Sequence, residues 1–192
     1  FPFSSLIMLL LLWILIGIVA LLVIMLFTYY NRFVVLSNRI DNSLSQIDVQ
    51  LKRRTDLIPN LMESVKGYMK HEKTLIQSVN DARKALVSAK GLSKRMEANN
   101  KLEGFLGKLF AIAENYPDLK ANTTFLQLQN ELTTTEDKIA YARQFYNDSI
   151  LSYNNSVQQM PGAFFANLYG RRVKEFMKIP EAERKVVKVK FE

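Results

Sequence analysis

The chain has 192 residues and carries 26 Lys and Arg against 18 Asp and Glu, so its formal net charge is +8. It contains no Cys and one His, which excludes disulfides, a Cys nucleophile and a metal site built from several His. It has 7 Gly and lacks a Gly-rich phosphate loop, so we expect neither a bound metal nor a cofactor.

The first charged residue is Arg32, and the segment before it is strongly apolar. Leu6 to Phe27 is a run of 22 uncharged residues, which as a helix would cover about 33 Å, close to the ~30 Å hydrocarbon core of a bilayer. Tyr29 and Tyr30 follow, where aromatic rings suit the membrane interface. The run is longer than the apolar part of a signal peptide, and no cleavage site of small residues follows it. We therefore predict a transmembrane anchor over residues 1–30.

Positive charge follows the apolar run, since Arg32 and Arg39 flank its C-terminal side. Segments rich in Lys and Arg favour the cytoplasmic face of a membrane. We therefore expect a single-pass membrane protein with its main domain in the cytoplasm. Charges preceding Phe1 would alter this prediction, so the opposite orientation stays open.

Apolar residues then recur every three or four positions, which is typical of one face of an α-helix. The series stays in phase across Pro59, which predicts one kinked helix over about residues 31–88, continuous with the anchor. The alternative is a tight turn at residues 56–59, with Asp56 capping a second helix. The series is Phe33, Leu36, Ile40, Leu44, Ile47, Leu51, Arg54, Ile58, Leu61, Val65, Tyr68, Glu72, Leu75, Val79, Ala82 and Leu86.

Two further helices are predicted downstream. Gly91 interrupts the pattern, Ser93 is a candidate cap for the next helix, and Pro117 ends it. Asn122 is a candidate N-cap for the last helix, which Pro161 and its neighbour Gly162 stop. The apolar seam of this last helix repeats every seven residues and consists of Phe125, Leu128, Leu132, Thr135, Ile139, Ala142, Tyr146, Ser149 or Ile150, Tyr153 and Val157.

These elements predict an all-α protein in which the transmembrane helix continues into an antiparallel helical bundle at residues 31–160. The bundle has three long helices if Pro59 only kinks the first, and four if the chain turns there. Residues 161–192 form a short apolar patch and a basic tail. The tail ends in an alternating segment at residues 187–191, which suits an extended strand or a mobile terminus equally well.

Charged residues in two places are candidate site residues. Within the bundle, a buried charge must be paired, so we expect internal pairs of Arg54 with Glu72 or Glu136, and of Glu72 with Arg143. A polar pocket, a subunit contact or simple surface exposure are the alternatives for these four. In the tail, basic side chains are candidates for contact with anionic lipid or a partner: Arg171, Arg172, Lys174, Lys178, Arg184 and Lys185.

Several blocks of the chain together form a specific pattern: residues 48–61 (DVQLKRRTDLIPNL), His71-Glu72, residues 116–122 (YPDLKAN) with Phe125, Leu128 and Gln129, and then Glu136, Ile139, Ala140, Arg143, Tyr146-Asn147, Tyr153-Asn154, Pro161 and residues 188–191. This pattern resembles the LemA family. The resemblance implies an N-terminal membrane anchor and an all-helical bundle in a widespread bacterial family, hence a bacterial inner membrane, and it carries over no catalytic residues. Organelle relatives of the family leave a mitochondrial inner membrane open.

We therefore expect a non-enzymatic, membrane-anchored helical scaffold that forms a homo-oligomer on the bilayer and organises or bends the membrane. The alternative is a monomeric adaptor that docks a signalling or envelope protein, whose identity the sequence leaves unknown. Binding of nucleic acid is not expected, because the basic residues are dispersed except in the tail and no recognised module is present.

Overall fold

The computed structural model describes residues 2–177, with side chains from residue 6 onward. Every regular element in this range is a helix, and no strand occurs in it, so the predicted all-α class is confirmed. The alternating segment at residues 187–191 lies outside the described residues. The helices are α1 (Pro2–Lys66), α2 (Lys73–Ser88), α3 (Leu92–Ala113), α4 (Pro117–Lys120), α5 (Thr123–Gln158) and α6 (Gly162–Leu168).

The described residues divide into two compact units. The first combines residues 2–42 with 147–176, which are the N-terminal part of α1, the C-terminal part of α5, and α6. The second contains residues 43–146, which are the rest of α1, α2 to α4, and the start of α5, together with residue 177. The sequence boundaries at residues 30 and 160 stay predictions.

Most members of the predicted apolar seams of α1 and α5 are buried, with less than a tenth of each buried side chain exposed. Leu36 and Leu44 of α1 and Val157 of α5 are half-buried. Because a helix stripe of this width needs a partner, burial of each stripe against neighbouring helices stabilises the bundle. The buried members are Phe33, Ile40, Ile47, Leu51, Ile58, Leu61 and Val65 on α1, and Phe125, Leu128, Leu132, Ile139, Ala142, Ile150 and Tyr153 on α5.

The first helix does not end where either alternative placed it. Pro59 lies inside α1, so the turn at residues 56–59 is wrong. The single helix to residue 88 is also wrong, because the chain leaves the helix after Lys66 and starts α2 at Lys73. Met69 is fully buried in this connection, whereas Tyr68, the predicted seam residue, is 39% exposed. The apolar spacing runs on in phase beyond the turn, so periodicity alone could not reveal it.

Pro59 leaves a backbone acceptor free, and α2 supplies the donor. A proline has no N–H, so the carbonyl four residues earlier, that of Thr55, loses its helical partner. The Arg83 Nε donates to this Thr55 carbonyl oxygen at 2.8 Å. Thr55 is only 6% exposed, so an unpaired carbonyl there would be costly. This bond attaches α2 to α1.

The remaining helix ends mix confirmed and corrected predictions. Gly91 flanks α3 with φ of 84°, a left-handed value that favours glycine, and it replaces Ser93 as the residue before the helix. Pro117 opens α4 instead of ending α3, because proline suits the first turn of a helix. Asn122 caps α5 as predicted, since its Oδ1 accepts the Phe125 N–H at 3.0 Å.

We predict that Pro59 and Arg83 are energetically coupled. Arg83→Ala should destabilise the full-length chain in detergent by about 1–3 kcal/mol, because the Thr55 carbonyl loses its donor. In a Pro59→Ala background the loss should shrink, since the substituted alanine restores the helical N–H. Thermal and denaturant unfolding of the double-mutant cycle measure this. Lys84→Ala is the control, because Lys84 makes an exposed pair with Asp81. Equal losses in both backgrounds would contradict the coupling.

Candidate functional site

The N-terminal part of α1 is apolar on all sides and exposed. The large side chains of this run are mostly between 43% and 68% exposed, among them Leu6, Trp13 and Phe27. Within the described residues it is the one helix whose length and composition suit crossing a membrane. Leaving each such side chain in water costs about 1.5–3 kcal/mol. The run therefore needs an apolar surrounding that residues 6–177 do not provide.

An aromatic cluster in the first unit marks the C-terminal end of this run. Phe165 of α6 stacks on Tyr29 of α1, with ring centroids 4.9 Å apart and planes at 14°. Phe33 meets Tyr153 of α5 edge-on at 6.4 Å. The Tyr169 hydroxyl donates to the Leu26 carbonyl at 2.8 Å. These contacts fix α6 and the end of α5 against α1 at Leu26 to Phe33.

Two glycines shape the ends of α6. A Cβ on Gly162 would lie 2.3 Å from the backbone oxygen of Ser156 and 3.2 Å from Tyr29 Cε1, so only glycine allows this approach. Gly170 has φ of 63°, and the N–H of Arg171 bonds the Ala166 carbonyl at 2.8 Å. This is the Schellman arrangement that ends a helix at a left-handed glycine. The chain thus leaves α6 in a defined direction.

The basic tail begins directly after Gly170 and is attached to α5. Asn154 is buried and binds Lys174 twice: its Nδ2 donates to the Lys174 carbonyl at 2.9 Å, and its Oδ1 accepts the Lys174 N–H at 2.8 Å. The Lys174 ammonium lies 5.1 Å from the centre of the Tyr153 ring. Arg171 is half-buried and Arg172 exposed. The candidate lipid contacts Lys178, Arg184 and Lys185 lie outside the described residues.

The second unit contains a buried guanidinium. Arg54 is 1% exposed. Its Nη1 donates to Asn99 Oδ1 of α3 at 2.7 Å, its Nη2 to Glu136 Oε2 of α5 at 3.1 Å, and its Nε to Thr135 Oγ1 at 3.4 Å. All three kinds of guanidinium nitrogen thus have an acceptor. The group joins α1, α3 and α5.

Burial disfavours the charged form of Arg54, and nearby carboxylates favour it. Burial lowers the pKa of Arg54, while the carboxylates of Glu136 and Glu103 act in the other direction. A guanidinium stays protonated in proteins, so the desolvation cost must be offset by these acceptors. The Glu136 side chain is 39% exposed, so the pair is dry at the arginine and open to solvent at the carboxylate.

The two ion pairs predicted for Glu72, with Arg54 and with Arg143, do not form among the described residues. Glu72 directly precedes α2 and is half-exposed, and its carboxylate forms no ion pair within the described part of the chain. Neither the Arg54–Glu72 pair nor the Glu72–Arg143 pair forms there. The reason is the turn at residues 67–72, which removes Glu72 from the helical register that the prediction assumed. Arg143 is buried at 8% exposure, one heptad after Glu136 on α5.

An open groove of about 500 Å³ lies in the second unit, lined by residues of α1, α2 and α3. Its walls combine apolar side chains with charges of both signs. Asp48 pairs with Arg95 across the groove, and Lys52 pairs with Asp56 at 2.9 Å along α1. This mixture suits a peptide segment with both apolar and charged side chains. The lining residues are Asp48, Leu51, Lys52, Thr55, Asp56, Arg83, Leu86, Val87 and Arg95.

Comparison of the sequence with known proteins identifies a family. The sequence profile of the LemA family matches residues 43–191. The chain belongs to the LemA family. Magnetosome protein MamQ of Magnetospirillum gryphiswaldense is 26% identical over 185 residues, covering 82% of this chain and 68% of that protein. Magnetosome protein MamQ 2 of Paramagnetospirillum magneticum is 23% identical with the same coverage. Protein LemA of Metamycoplasma hominis is 29% identical over 121 residues, covering 62% of this chain and 55% of that protein.

The LemA-like block at residues 48–61 serves two structural purposes. Its Arg54 is the buried guanidinium, and its Pro59 frees the carbonyl that Arg83 binds. Its exposed members Asp48, Lys52 and Asp56 line the groove. One stretch of α1 therefore determines both the interior pairing of this LemA protein and the character of its groove.

Sequence reasoning missed the partners that come from α2 and α3. Asn99 was not singled out, although it makes the shortest measured bond to Arg54. Arg83 was also missed. A signal for it exists, because a proline at position 59 of a helix leaves the Thr55 carbonyl without its helical N–H donor, so another donor is expected. The contact of Asn154 with Lys174 joins residues 20 positions apart, for which no local pattern exists.

We predict that Arg54 and its neighbour Arg53 differ sharply in energetic weight. Arg54→Ala should destabilise the full-length chain by about 3 kcal/mol, because it breaks a buried, hydrogen-bonded charge group. Arg53 is 53% exposed and lies 3.6 Å from Glu131, so Arg53→Ala should cost less than ~1 kcal/mol. Unfolding in detergent, followed by circular dichroism, compares the two. Similar losses would show that the Arg54 network is not a stabilising centre.

We predict that Gly162 tolerates no Cβ. Gly162→Ala should displace α6 and destabilise the chain by about 1–3 kcal/mol, the usual range for overpacking. Gly107 lies within α3 and has open space at its Cβ position, so Gly107→Ala should be neutral or stabilise by about 0.5–1 kcal/mol. The same unfolding measurement reads both variants. An unchanged melting temperature for Gly162→Ala would argue against the close approach of Gly162 to Ser156 of α5 and Tyr29 of α1.

Proposed function

We propose that this LemA protein is a non-enzymatic, membrane-anchored helical scaffold that self-assembles into a homo-oligomer on the bilayer and organises or bends the membrane. One observation carries the proposal. α1 is a single helix from Pro2 to Lys66 that contains both the exposed apolar run and the buried Arg54. The membrane segment and the central helix of the second unit are thus parts of one element.

The segment between the apolar run and Arg54 is helical throughout. An interdomain linker rich in Gly or Ser would let a soluble domain rotate freely above the membrane. Here the residues after Phe27 remain helical and pack through Phe33, Ile40 and Ile47. The apolar run and Arg54 therefore lie on one continuous helix, which supports a membrane-attached role for the bundle. Repeated copies of such a unit favour closed symmetric assemblies, the common outcome for homo-oligomers.

The proposed location is a bacterial inner membrane with the bundle on the cytoplasmic side. The exposed Arg32 and Arg39 follow the apolar run, which matches the positive-inside bias. Two relatives of this chain are named as proteins of the magnetosome. For this chain we propose the more general role of membrane organisation. The basic residues Arg171, Arg172 and Lys174 would add attraction to anionic lipid, about 1 kcal/mol for each near the surface.

A non-enzymatic role is supported by how the charged groups are used. Arg54 and Arg95 are each satisfied by carboxylates or amides of neighbouring helices, in pairs that join elements of the fold. General acid–base catalysis would instead use a group poised to gain or lose a proton near neutral pH. The arrangement at Arg54 holds a charge permanently and fixes helix positions.

A second candidate function is that of a monomeric adaptor, and the groove favours it. The open groove beside Asp48 and Arg95 has the mixed apolar and charged walls of a peptide-docking surface. A signalling or envelope protein would then dock there while α1 holds the complex at the membrane. This candidate differs from the scaffold in stoichiometry, which an experiment can separate.

We predict that the full-length protein in lipid nanodiscs or mild detergent is a homo-oligomer. Its mass, measured by light scattering and by cross-linking followed by mass determination, should be a fixed multiple of the chain mass over a range of dilution. An unrelated single-pass protein in the same detergent is the control for random co-occupancy. A strict monomer at all concentrations would reject the scaffold and leave the adaptor.

A further inference from the structure

We infer that α6 and the two arginines that follow it form a second membrane contact: Phe164 and Leu168 insert into the boundary between lipid headgroups and acyl chains, while Arg171 and Arg172 bind lipid phosphates. This inference rests on the proposed function in two respects, that α1 crosses the membrane and that Arg171 and Arg172 attract anionic lipid. It adds a separate interfacial element, built from the apolar patch whose role the sequence did not explain.

The first step concerns the position of α6 along α1. Phe165 stacks on Tyr29, and the Tyr169 hydroxyl binds the carbonyl of Leu26. Partly buried side chains of Met25 and Leu26 also pack against this cluster. The apolar run ends at Phe27, so α6 lies against its last turn and the turn that follows. If the run occupies the hydrocarbon core, α6 lies at the membrane interface.

The second step concerns the two faces of α6. Phe165 and Ala166 are buried at 3% and 1% exposure, whereas Phe164 and Leu168 are 62% and 60% exposed. Residues four apart lie on the same side of a helix, so Phe164 and Leu168 form one outward apolar face. Water is an unfavourable surrounding for two such large side chains on one short helix. At this height on α1, lipid is the adjacent apolar phase.

The third step concerns charge. Arg171 and Arg172 lie just after the turn that ends α6, and neither forms an ion pair within the described residues. Arg32 of α1 is also exposed, five residues after the end of the apolar run. Apolar side chains beside uncompensated basic ones are typical of elements that lie in the membrane interface. The Schellman turn at Gly170 ends α6 directly before the two arginines and fixes where the chain leaves the helix.

The fourth step decides between lipid and protein as the occupant. A protein partner would have to be apolar opposite Phe164 and acidic opposite Arg171 and Arg172. A phospholipid surface offers both properties in the right order, since the acyl chains lie below the phosphates. The face also continues the exposed apolar surface of α1, which the proposed function already assigns to lipid. We therefore assign the α6 face to the bilayer.

The absence of cysteine in the sequence allows a direct test by single spin labels. Three full-length variants, Phe164→Cys, Val35→Cys and Ile16→Cys, are labelled with a nitroxide and reconstituted into vesicles of phosphatidylcholine and phosphatidylglycerol. Val35 is the matched control, because it is as exposed as Phe164, at 64% against 62%, but lies eight residues beyond Phe27. Collision with oxygen and with a water-soluble nickel reagent reports depth.

The expected result is low nickel and high oxygen accessibility at residues 164 and 16, and the reverse at residue 35, with nickel accessibility at 164 several-fold below that at 35. Water-like accessibility at 164 with a lipid-embedded label at 16 would overturn the inference alone. Water-like accessibility at 16 would overturn the spanning helix of the proposed function, and the inference with it. The labels thus separate the two failures.

A second arm tests the arginines. Arg171→Gln with Arg172→Gln should raise nickel accessibility of the label at 164, because phosphate contacts no longer hold α6 at the interface. Lys52→Gln with Arg53→Gln is the matched control: it removes the same charge from exposed residues of the second unit and should leave the label unchanged. A label at 164 unaffected by the Arg171 and Arg172 changes would overturn the assignment of these residues to lipid phosphates.

Discussion

The buried guanidinium of Arg54 constrains the second unit more than any apolar contact does. An apolar side chain can shift against its neighbours at modest cost, whereas a buried charge must meet its acceptors at hydrogen-bond distance. Asn99 and Glu136 provide these acceptors from α3 and α5. The register of three helices is therefore tied to one side chain. The second attachment, from Arg83 to the Thr55 carbonyl, brings in α2 one helical position further along α1.

The first unit follows a different rule, because its contacts are aromatic and glycine-dependent. Tyr29, Phe33 and Phe165 supply broad apolar surfaces with preferred ring geometries. Gly162 permits the close approach, and Gly170 ends α6. The result is a short helix held against α1 beside the last apolar turn. The apolar run and the start of the basic tail both belong to this unit.

Sequence patterns predicted the helices well and their ends less well. The seams of α1 and α5 follow from periodicity, since burial repeats with the helix turn. The turn at residues 67–72 was not predicted, because the apolar spacing continues through it. The Arg54–Glu136 pair was among the candidates, since a charge on an apolar seam needs a partner, but Glu72 was an equal candidate until the turn displaced it. Contacts such as Asn154 with Lys174 depend on tertiary geometry that no local rule contains.

The central claim is that one continuous helix, α1, contains both the exposed apolar run, which we propose anchors the protein in a membrane, and the buried Arg54. Hydrogen–deuterium exchange of the full-length protein in lipid nanodiscs tests it most directly, read by peptides that cover α1 from the apolar run to Lys66. The account predicts slow exchange without interruption across this range, including the residues between Phe27 and Arg54. A rapidly exchanging segment there would reveal a flexible joint and contradict the account.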